Sequence, residues 1–538
     1  MAEPAATLGR RMIKGLLVAV VVLALLAAGA LAAVPWLVDT PRVQAYLTGA
    51  VAQSLGRPVR FSSLSVSVLP APAVRLRGLQ IAEDPRFGAG AFVTVNDGRI
   101  RIRLAPLFTG RLELADVTLD GVTVSVIEDA GQWNLASLGA IPPPGRAGAG
   151  RGSSPGAVST VGGLGAALSR MRIADGAIEY RKRGVEGSGV RLERIALTIT
   201  PGPRPEILTM RGEALSRPGA ARLRLTEATL SIVPGRPLGD ALMKAAIDLK
   251  VDDVGSLGLV TATRVAGALT GTVNVGGSLA KVSGTGELRA ERLTLAPEAA
   301  PRCAASGRRP LVIEDVRVPL AFAPGRIDSR SVRAATSGGT ITFELHARTG
   351  PAPSVALRDL RIAGMELRPI LLDYLCQPYA VSGPLELTGD AVFVPGDPWR
   401  TLEGAGRFRV GRGQVLGDGV LHVLSQAGRL GSPQSVPEVW RWTREDPLDF
   451  DAISATYRVA AGVASTRDLV YESRRFRGTG VGTYGLGDGR IDMAVTLSQG
   501  RGEVRARVAG PPGAVTVTPT GITGPPAEAR RLVERLAR

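Results

Sequence analysis

The chain has 538 residues, of which 45% are hydrophobic, 21% are charged and only 4% are aromatic, and its formal net charge is +17. A hydrophobic fraction of this size allows a large buried surface and argues against disorder throughout the chain. The 68 glycines and 38 prolines suit many short strands joined by tight turns, so long helices are not expected beyond about residue 60.

The positive charge comes mainly from arginines that recur at every second position of predicted strands. Proteins that bind nucleic acid usually interleave basic clusters with aromatic residues, and this chain has no such cluster. Nucleic acid is therefore not an expected partner. Regularly spaced arginines favour a solvated sheet face, which could also attract anionic lipid headgroups.

Residues 15–34 form an uninterrupted run of apolar or small residues, which matches the thickness of a bilayer at about 1.5 Å per residue. Three basic residues precede the run: Arg10, Arg11 and Lys14. Positive charge on this flank predicts a single-pass anchor over residues 15–36, with residues 1–14 in the cytoplasm and the body of the protein outside it.

A cleaved signal peptide is the alternative for this segment. Residues 28–30 and 30–32 both fit the Ala-x-Ala pattern that precedes a cleavage site. The apolar run is longer than the usual core of a signal peptide, and this favours a retained anchor. Both interpretations place the rest of the chain outside the cytoplasm.

A short amphipathic helix is predicted directly after the anchor. Thr40 is a suitable N-cap and Pro41 fits the first helical position. An apolar stripe follows at a spacing of four residues: Val43, Leu47, Val51 and Leu55. Gly56 ends the pattern, so the helix is expected over residues 41–55, within a first β unit of residues 37–140.

Beyond Gly56 the hydrophobic period changes to two, which predicts strands with one apolar and one polar face. Residues 99–104 and 122–126 alternate without a break, and six of their side chains are candidates for the apolar face: Ile100, Ile102, Leu104, Val122, Val124 and Val126. Alternation alone favours the filling of a closed sandwich core by these residues. Four Asp-Gly pairs are predicted to form turns: Asp97-Gly98, Asp120-Gly121, Asp175-Gly176 and Asp488-Gly489.

The composition changes at residues 141–165, where Pro, Gly, Ala and Ser dominate. This predicts an exposed linker between the first β unit and the remainder of the chain. The remainder divides into a middle strand array over residues 166–380, a C-terminal β region over residues 381–524 and a short terminal helix over residues 525–538.

Motifs that would indicate an enzyme are weak. Residues 480–485 match GxGxxG, but a strand-like segment follows where a dinucleotide site needs a helix. Residues 152–156 match GxSxG inside the predicted linker, without the strand and helix of a nucleophile elbow. With only His346 and His422 available, histidine-based zinc sites and Ser-His-Asp chemistry are not expected. We therefore expect no catalytic, cofactor or metal site.

Cys303 and Cys376 are the only two cysteines, and they do not form a CxxC motif. They are either one disulfide in an oxidising compartment or two unrelated thiols. The sequence does not decide between these alternatives.

An ordered series of motifs between Met12 and Leu138 is similar to the AsmA family of bacterial envelope proteins. The series begins with the anchor and short helix and continues through LGRPV at 55–59, LPAPAVRLRGL at 69–79, EDPRFG at 83–88, LAPLFTGR at 104–111, LDGV at 119–122 and DAGQWN at 129–134. A second and weaker similarity to the family covers residues 381–521. Order and spacing, rather than any single motif, carry the resemblance.

The resemblance implies a mostly β fold, in which an N-terminal transmembrane helix in the inner membrane precedes an extended, bent antiparallel β-sheet groove in the periplasm. It implies a non-enzymatic, bridge-like role in transporting phospholipids between the inner and outer membranes and in supporting outer-membrane assembly. The six candidates at positions 100–126 would then line a lipid groove rather than a closed core. The alternative is a structural or chaperone-like periplasmic protein that assists outer-membrane proteins through a free sheet edge.

Overall fold

The computed structural model describes sixteen segments of the chain, namely residues 57–67, 73–102, 114–129, 132–134, 169–184, 189–204, 206–232, 238–257, 264–297, 307–350, 352–377, 380–416, 448–474, 477–499, 502–511 and 514–523. The predicted anchor at 15–36, the helix at 41–55, the linker at 141–165 and the terminal helix at 525–538 lie outside these segments. Within the described segments, no helix is long and apolar enough to cross a bilayer.

The fold is mostly β, with 73% of the described residues in strands. The strands are β1 (Val59–Arg60), β2 (Ser63–Ser67), β3 (Ala73–Ala82), β4 (Ala91–Ile102), β5 (Leu114–Asp129), β6 (Gln132–Trp133), β7 (Met171–Lys182), β8 (Val190–Pro201), β9 (Ile207–Arg217), β10 (Arg222–Ser231), β11 (Leu242–Val251), β12 (Val265–Ala266), β13 (Leu269–Ser278), β14 (Lys281–Leu295), β15 (Leu311–Ala323), β16 (Arg326–Thr336), β17 (Gly339–Arg348), β18 (Ser354–Glu366), β19 (Pro384–Phe393), β20 (Glu403–Val410), β21 (Gly413–Val415), β22 (Leu448–Phe450), β23 (Ala452–Ala460), β24 (Val463–Glu472), β25 (Arg477–Gly485), β26 (Ile491–Gln499), β27 (Gly502–Gly510) and β28 (Thr516–Thr523).

Helical segments among the described residues are short. Two 3₁₀ turns cover Leu238–Asp240 and Val254–Leu257, and a four-residue helix, α1, covers Pro398–Thr401. A π-helix covers Pro369–Tyr374. The side chain of Asp397 caps α1 by accepting a hydrogen bond from the backbone N–H of Arg400.

The first compact unit contains residues 1–249 and 274–282. Its strands pair in the order β3, β4, β5, β7, β8, β9, β10, and β1 and β2 both pair with β3. All of these ladders are antiparallel except β5–β7, which is parallel. The expected antiparallel sheet is therefore mixed, with one parallel ladder at this junction. A parallel pair needs a crossover of a dozen or more residues, and residues 135–170 supply it.

The second unit contains residues 250–273 and 283–538. Within it β12 pairs with β14, and antiparallel ladders then follow chain order from β14 to β20 and from β20 through β23 to β28. Strands β21 and β22 form a separate two-stranded ladder. No ladder among the described strands joins β28 back to β12 or β14, so the sheet of this unit is open.

Three of the four predicted Asp-Gly turns are wrong. Asp97-Gly98, Asp120-Gly121 and Asp175-Gly176 lie inside β4, β5 and β7, and only Asp488-Gly489 lies in a connection, between β25 and β26. Gly121 and Asp175 have φ values of 62° and 49°, and the ladder of β7 with β8 shifts register on both sides of Gly176. Left-handed backbone is needed in both tight turns and β-bulges, so the same residue pair suits either structure.

Candidate functional site: an apolar sheet face with a cavity

One face of the sheet in the second unit is lined by apolar side chains. Residues that pair directly across neighbouring strands point to the same side of a sheet, so the register of each ladder defines rows of side chains. The first row crosses β16 to β23 and consists of Ala334, Ile341, Ile362, Leu387, Phe408 and Ala455.

A second row on the same face extends further along the sheet. It crosses the nine strands from β17 to β27 other than β21 and β22, and it consists of Leu345, Leu357, Ala391, Gly404, Val459, Ala464, Tyr484, Ile491 and Gly510. No member of either row is charged. At about 4.8 Å between strands, the second row has a length on the order of 40 Å.

The apolar face is only partly covered. Strand β17 lies in the interior of the sheet, yet Ile341, Phe343 and Leu345 on its apolar side are half-buried rather than buried. The inner side chains of a closed β-sandwich interdigitate with a second sheet and lose nearly all solvent contact. The burial at β17 is therefore that of a sheet face without a complete second layer.

Full burial on this face occurs near the π-helix. A compact cluster there contains Met365, Leu367, Leu385, Val410, Val415 and Phe450. Ile370 and Leu371 of the π-helix pack against it. Because the π-helix follows β18 immediately, its apolar residues come down on the strands next in sequence. It thus covers one end of the apolar face and leaves the neighbouring part open.

A cavity of about 750 Å³ lies beside this cluster. Its lining comes from the end of the π-helix, from α1 and from β25 to β27, and it consists of Leu371, Leu375, Gln377, Trp399, Tyr484, Leu486, Gly487, Ile491, Met493, Val495 and Val508. None of these side chains is charged. The volume lies within the range of small-molecule sites, and the lining is suited to hydrocarbon rather than to an ionic group.

The edge of the cavity has a polar contact and a covalent constraint. The hydroxyl of Tyr484 donates to Oε1 of Gln377 at 3.3 Å. Between Leu375 and Gln377 stands Cys376, which is disulfide-bonded and has a φ of 52°. The only other cysteine of the chain is Cys303, which lies outside the described residues. Trp399 is 58% exposed and is available to a ligand that enters the cavity.

The candidates predicted from sequence lie in the first unit. Val122 and Val126 are buried, whereas Ile100 and Val124 are half-buried. Ile102 ends β4 and its side chain is not described, and Leu104 lies outside the described residues. Ile100 belongs to an apolar row that crosses seven strands: Val74, Ile100, Val117, Met171, Ile199, Met210 and Ala228.

Val124 belongs to another row of the first unit, opposite Val93 on β4 and Ile178 on β7. The structure therefore places Ile100 and Val124 in different rows, each continued by apolar residues of neighbouring strands. The prediction that the six candidates line a lipid groove stays a prediction.

Sequence reasoning missed a buried polar cluster in the first unit. The guanidinium of Arg57 donates to Oε1 of Glu83 at 3.1 Å and to the carbonyl oxygen of Asn134 at 2.6 Å. The amide of Asn134 donates to Oε2 of Glu83 at 2.7 Å and to the carbonyl oxygen of Ser125 at 2.8 Å. Arg57 also lies 4.5 Å from the ring centre of Phe92. The polar atoms of these residues therefore find their hydrogen-bond partners within the cluster rather than in solvent.

The three polar residues of this cluster come from three separate motifs of the ordered series. Arg57 lies in LGRPV, Glu83 in EDPRFG and Asn134 in DAGQWN. Burial lowers the pKa of Arg57, and the charges of Glu83 and Asp84 oppose that shift. The three side chains are buried, and their hydrogen bonds join the start of the described chain to the segments after β3 and β6.

Comparison with known families agrees with this part of the chain. Residues 10–181 match the model of the AsmA family. No curated protein and no solved structure gives a significant match to the chain.

Proposed function

Because the chain belongs to the AsmA family, we propose that it is a non-enzymatic lipid-handling protein of the cell envelope. One helix anchors it in the inner membrane and its body lies in the periplasm. The apolar sheet face holds phospholipid acyl chains in transit between the inner and outer membranes, and so supports assembly of the outer membrane. The half-buried apolar side chains of β17 are the observation on which this proposal depends.

The energetics of lipid transfer explain why such a face is useful. Each methylene group of an acyl chain that is exposed to water costs about 0.8 kcal/mol. An uncharged row that spans many strands gives the chain continuous apolar contact, so no single step along the face requires full hydration. The apolar side chains of β17 keep partial solvent contact in the described structure, so an acyl chain would add buried area there.

The cavity between the π-helix and β25–β27 adds a place where a chain is held more completely. Its uncharged lining excludes a phosphate, whose burial without a counter-charge is costly. We expect the headgroup to stay outside, near Trp399 and the Tyr484–Gln377 contact.

Site-specific photo-crosslinking in cells tests the proposal. A photoreactive phenylalanine analogue at Ile362, on the apolar face, should capture phospholipid. The same analogue at Thr483, on the opposite face of β25 and outside any arginine cluster, is the control and should capture none. Equal capture at both positions, or lipid at neither, would overturn the assignment of this face.

A second test uses the cavity. A Val495→Trp substitution fills it and should reduce the phospholipid that copurifies with the chain, as measured by mass spectrometry. Thr496→Trp, one position further along β26, is the control that leaves the cavity lining intact. Unchanged lipid content in the Val495 variant would exclude the cavity as a holding site.

The chaperone-like alternative requires a sheet edge that accepts another strand. Strand β28 pairs with β27 and with no other described strand, but it contains Pro519, which has no N–H to donate. Proline on an edge strand is a common device against unwanted strand addition. This observation favours lipid as the ligand, and crosslinks from β28 to outer-membrane proteins would instead favour the alternative.

A further inference from the structure

The polar face of the second unit carries a row of arginines in direct cross-strand register. From β14 to β23 the row consists of Arg289, Arg317, Arg333, Thr342, Arg361, Thr388, Arg407 and Thr456. It contains no carboxylate, and all of its arginines are exposed. Like charges that lie directly opposite one another destabilise a sheet. Arginine opposite arginine therefore lowers the stability of the sheet, whereas arginine opposite a carboxylate would not.

Three arginines elsewhere on these strands lie opposite carboxylates instead. Arg292 lies opposite Glu314 with an ion pair of 2.7 Å, Arg358 lies opposite Glu344, and Arg409 lies opposite Glu386. Alternation of charge is therefore available to the same strands, and the arginine row departs from it.

Three of the arginines, those on the adjacent strands β14, β15 and β16, form the densest part of the row. Arg289 has a local partner in Glu287, two positions away, at 2.8 Å, and that pair is well exposed. Among the described residues, no ion pair involves Arg317 or Arg333. Adjacent strands rotate by roughly 20°, so the three side chains diverge by only about 40° and can reach one surface.

We propose that this triplet, Arg289, Arg317 and Arg333, docks the body of the protein onto the surface of an anionic phospholipid bilayer. A guanidinium binds phosphate oxygens with paired hydrogen bonds, and each basic side chain near an anionic surface adds a similar increment of attraction. The site lies on the face opposite the apolar rows, so it contacts headgroups of the membrane and not the acyl chains in transit.

Other polyanions fit the row less well. The positions between its arginines are threonines, so it offers no aromatic ring for stacking with nucleic-acid bases. A protein interface is usually centred on buried aromatic or aliphatic anchors, which the row also lacks. A dense layer of phosphate groups requires only exposed positive charge, which is what the row provides.

Binding of lipid nanodiscs to the immobilised full-length chain tests the proposal. Nanodiscs of phosphatidylcholine alone are compared with nanodiscs that also contain phosphatidylglycerol. The triple variant Arg289→Gln, Arg317→Gln, Arg333→Gln should bind the anionic nanodiscs on the order of 100-fold more weakly than the unmodified chain. Binding of the unmodified chain should fall steeply as salt is raised, because the contacts are exposed.

The matched control removes the same amount of charge from the mixed-charge positions, with Arg292→Gln, Arg358→Gln and Arg409→Gln. We expect this control to change binding only a few-fold. Equal losses in the two triple variants would overturn the proposal, since net charge alone would then explain them. Equal binding of neutral and anionic nanodiscs by the unmodified chain would overturn it as well. Unchanged circular dichroism and thermal unfolding of the variants keep misfolding from mimicking the expected loss.

This inference does not rest on the proposed function. Loss of phospholipid crosslinking at Ile362 would refute lipid transit and leave nanodisc docking unaffected, and the triple arginine variant should retain crosslinking at Ile362.

Discussion

Arg57 and Glu83 form an ion pair of 3.1 Å in which both side chains are almost fully buried, with 4% and 2% of their surfaces exposed. The pair joins Arg57, two positions before β1, to the segment that follows β3, and Asn134 directly follows β6. Residues that are far apart in sequence thus meet at one point. Three of the motifs that carry the family resemblance thus contribute to one buried polar cluster.

Replacement of Arg57 by methionine should destabilise the first unit by about 3–5 kcal/mol, because Glu83 would be left as an uncompensated buried charge. Urea unfolding of the full chain measures this loss. The exposed pair of Arg77 and Asp97, at 3.5 Å, provides the control, and Arg77→Met should cost about 1 kcal/mol or less.

The double variant Arg57→Met, Glu83→Gln separates the two causes of this loss. It removes the uncompensated negative charge of Glu83 and should recover part of the stability that Arg57→Met loses. A double variant that is as unstable as the sum of both single changes would contradict the view that the charges act as a unit.

A second prediction concerns the parallel ladder between β5 and β7. The Tyr180 hydroxyl on β7 donates to Glu128 on β5 at 2.5 Å, and Lys182 lies 3.1 Å from the same carboxylate. The bond from Tyr180 lowers the pKa of Glu128, and Lys182 contributes to the shift. Burial, followed by the bond to Glu128, raises the pKa of Tyr180 to about 12.

These two shifts contribute to the dependence of stability on pH. A lowered carboxyl pKa gives stability that is present above the ordinary value and is lost as the pH falls through the folded-state pKa. A raised tyrosine pKa gives stability that is present below about pH 10 and is lost as the pH rises towards 12. Tyr180→Phe should therefore lower the free energy of unfolding by about 1–3 kcal/mol at neutral pH and reduce the alkaline loss by the share that this tyrosine contributes.

Unfolding of this variant between neutral pH and about pH 12 provides the measurement. Tyr374→Phe is a suitable control, since the Tyr374 hydroxyl has no hydrogen-bond partner among the described residues. An unchanged alkaline loss in Tyr180→Phe would show that another group causes it.

A third prediction concerns the close packing of Tyr457 on glycines of the apolar face. A Cβ atom at Gly406 would lie 2.2 Å from the carbonyl oxygen of Thr388 and 2.6 Å from the hydroxyl of Tyr457. Gly406→Ala should lower the free energy of unfolding by about 1–3 kcal/mol, because the strand or the ring of Tyr457 must move. Gly521→Ala is the control, as no atom lies within 4 Å of the added carbon. Equal thermal stability of the two variants would contradict the contact.

A fourth prediction concerns Cys376. If it pairs with Cys303, the purified chain has no free thiol before reduction and two after it, which a thiol-reactive dye measures. Loss of a cross-link that closes a loop of this length costs about 4 kcal/mol in the chain-entropy model, so Cys376→Ser should unfold at lower urea. Because Leu375 and Gln377 line the cavity, the variant should also retain less phospholipid. A free thiol in the unreduced chain would refute the pairing.

Local alternation was sufficient to predict that the part of the chain around Ile100 and Val124 forms strands. The pattern there depends only on side-chain period, and both residues lie in strands with apolar partners on either side. It was not sufficient to tell a turn from a bulge at Asp175-Gly176, since both use left-handed backbone. Nor could alternation show that β7 lies parallel to β5, because the direction of a returning strand is set by long-range pairing.

Only part of the candidate site could be predicted from the sequence. The apolar rows of the second unit follow the predicted period, but the cavity depends on the π-helix after β18 and on Trp399 of α1, which no periodic pattern indicated. The buried polar cluster was visible only as separate motifs. A pairing such as Arg57 with Glu83 joins positions with no local relation, so the resemblance could mark the residues without revealing their contact.

The parallel ladder between β5 and β7 also limits how far the segment that connects these strands can be shortened. Glu128 pairs with Trp133 at one end of β5, while Met171 begins β7 beside Val117 near the other end. The chain must return along roughly 36 Å of strand, for which about a dozen extended residues suffice. Residues 135–170 exceed this need about threefold. Shortening within 141–165 should therefore be tolerated down to that span, and a reporter domain inserted there should leave the β5–β7 ladder intact.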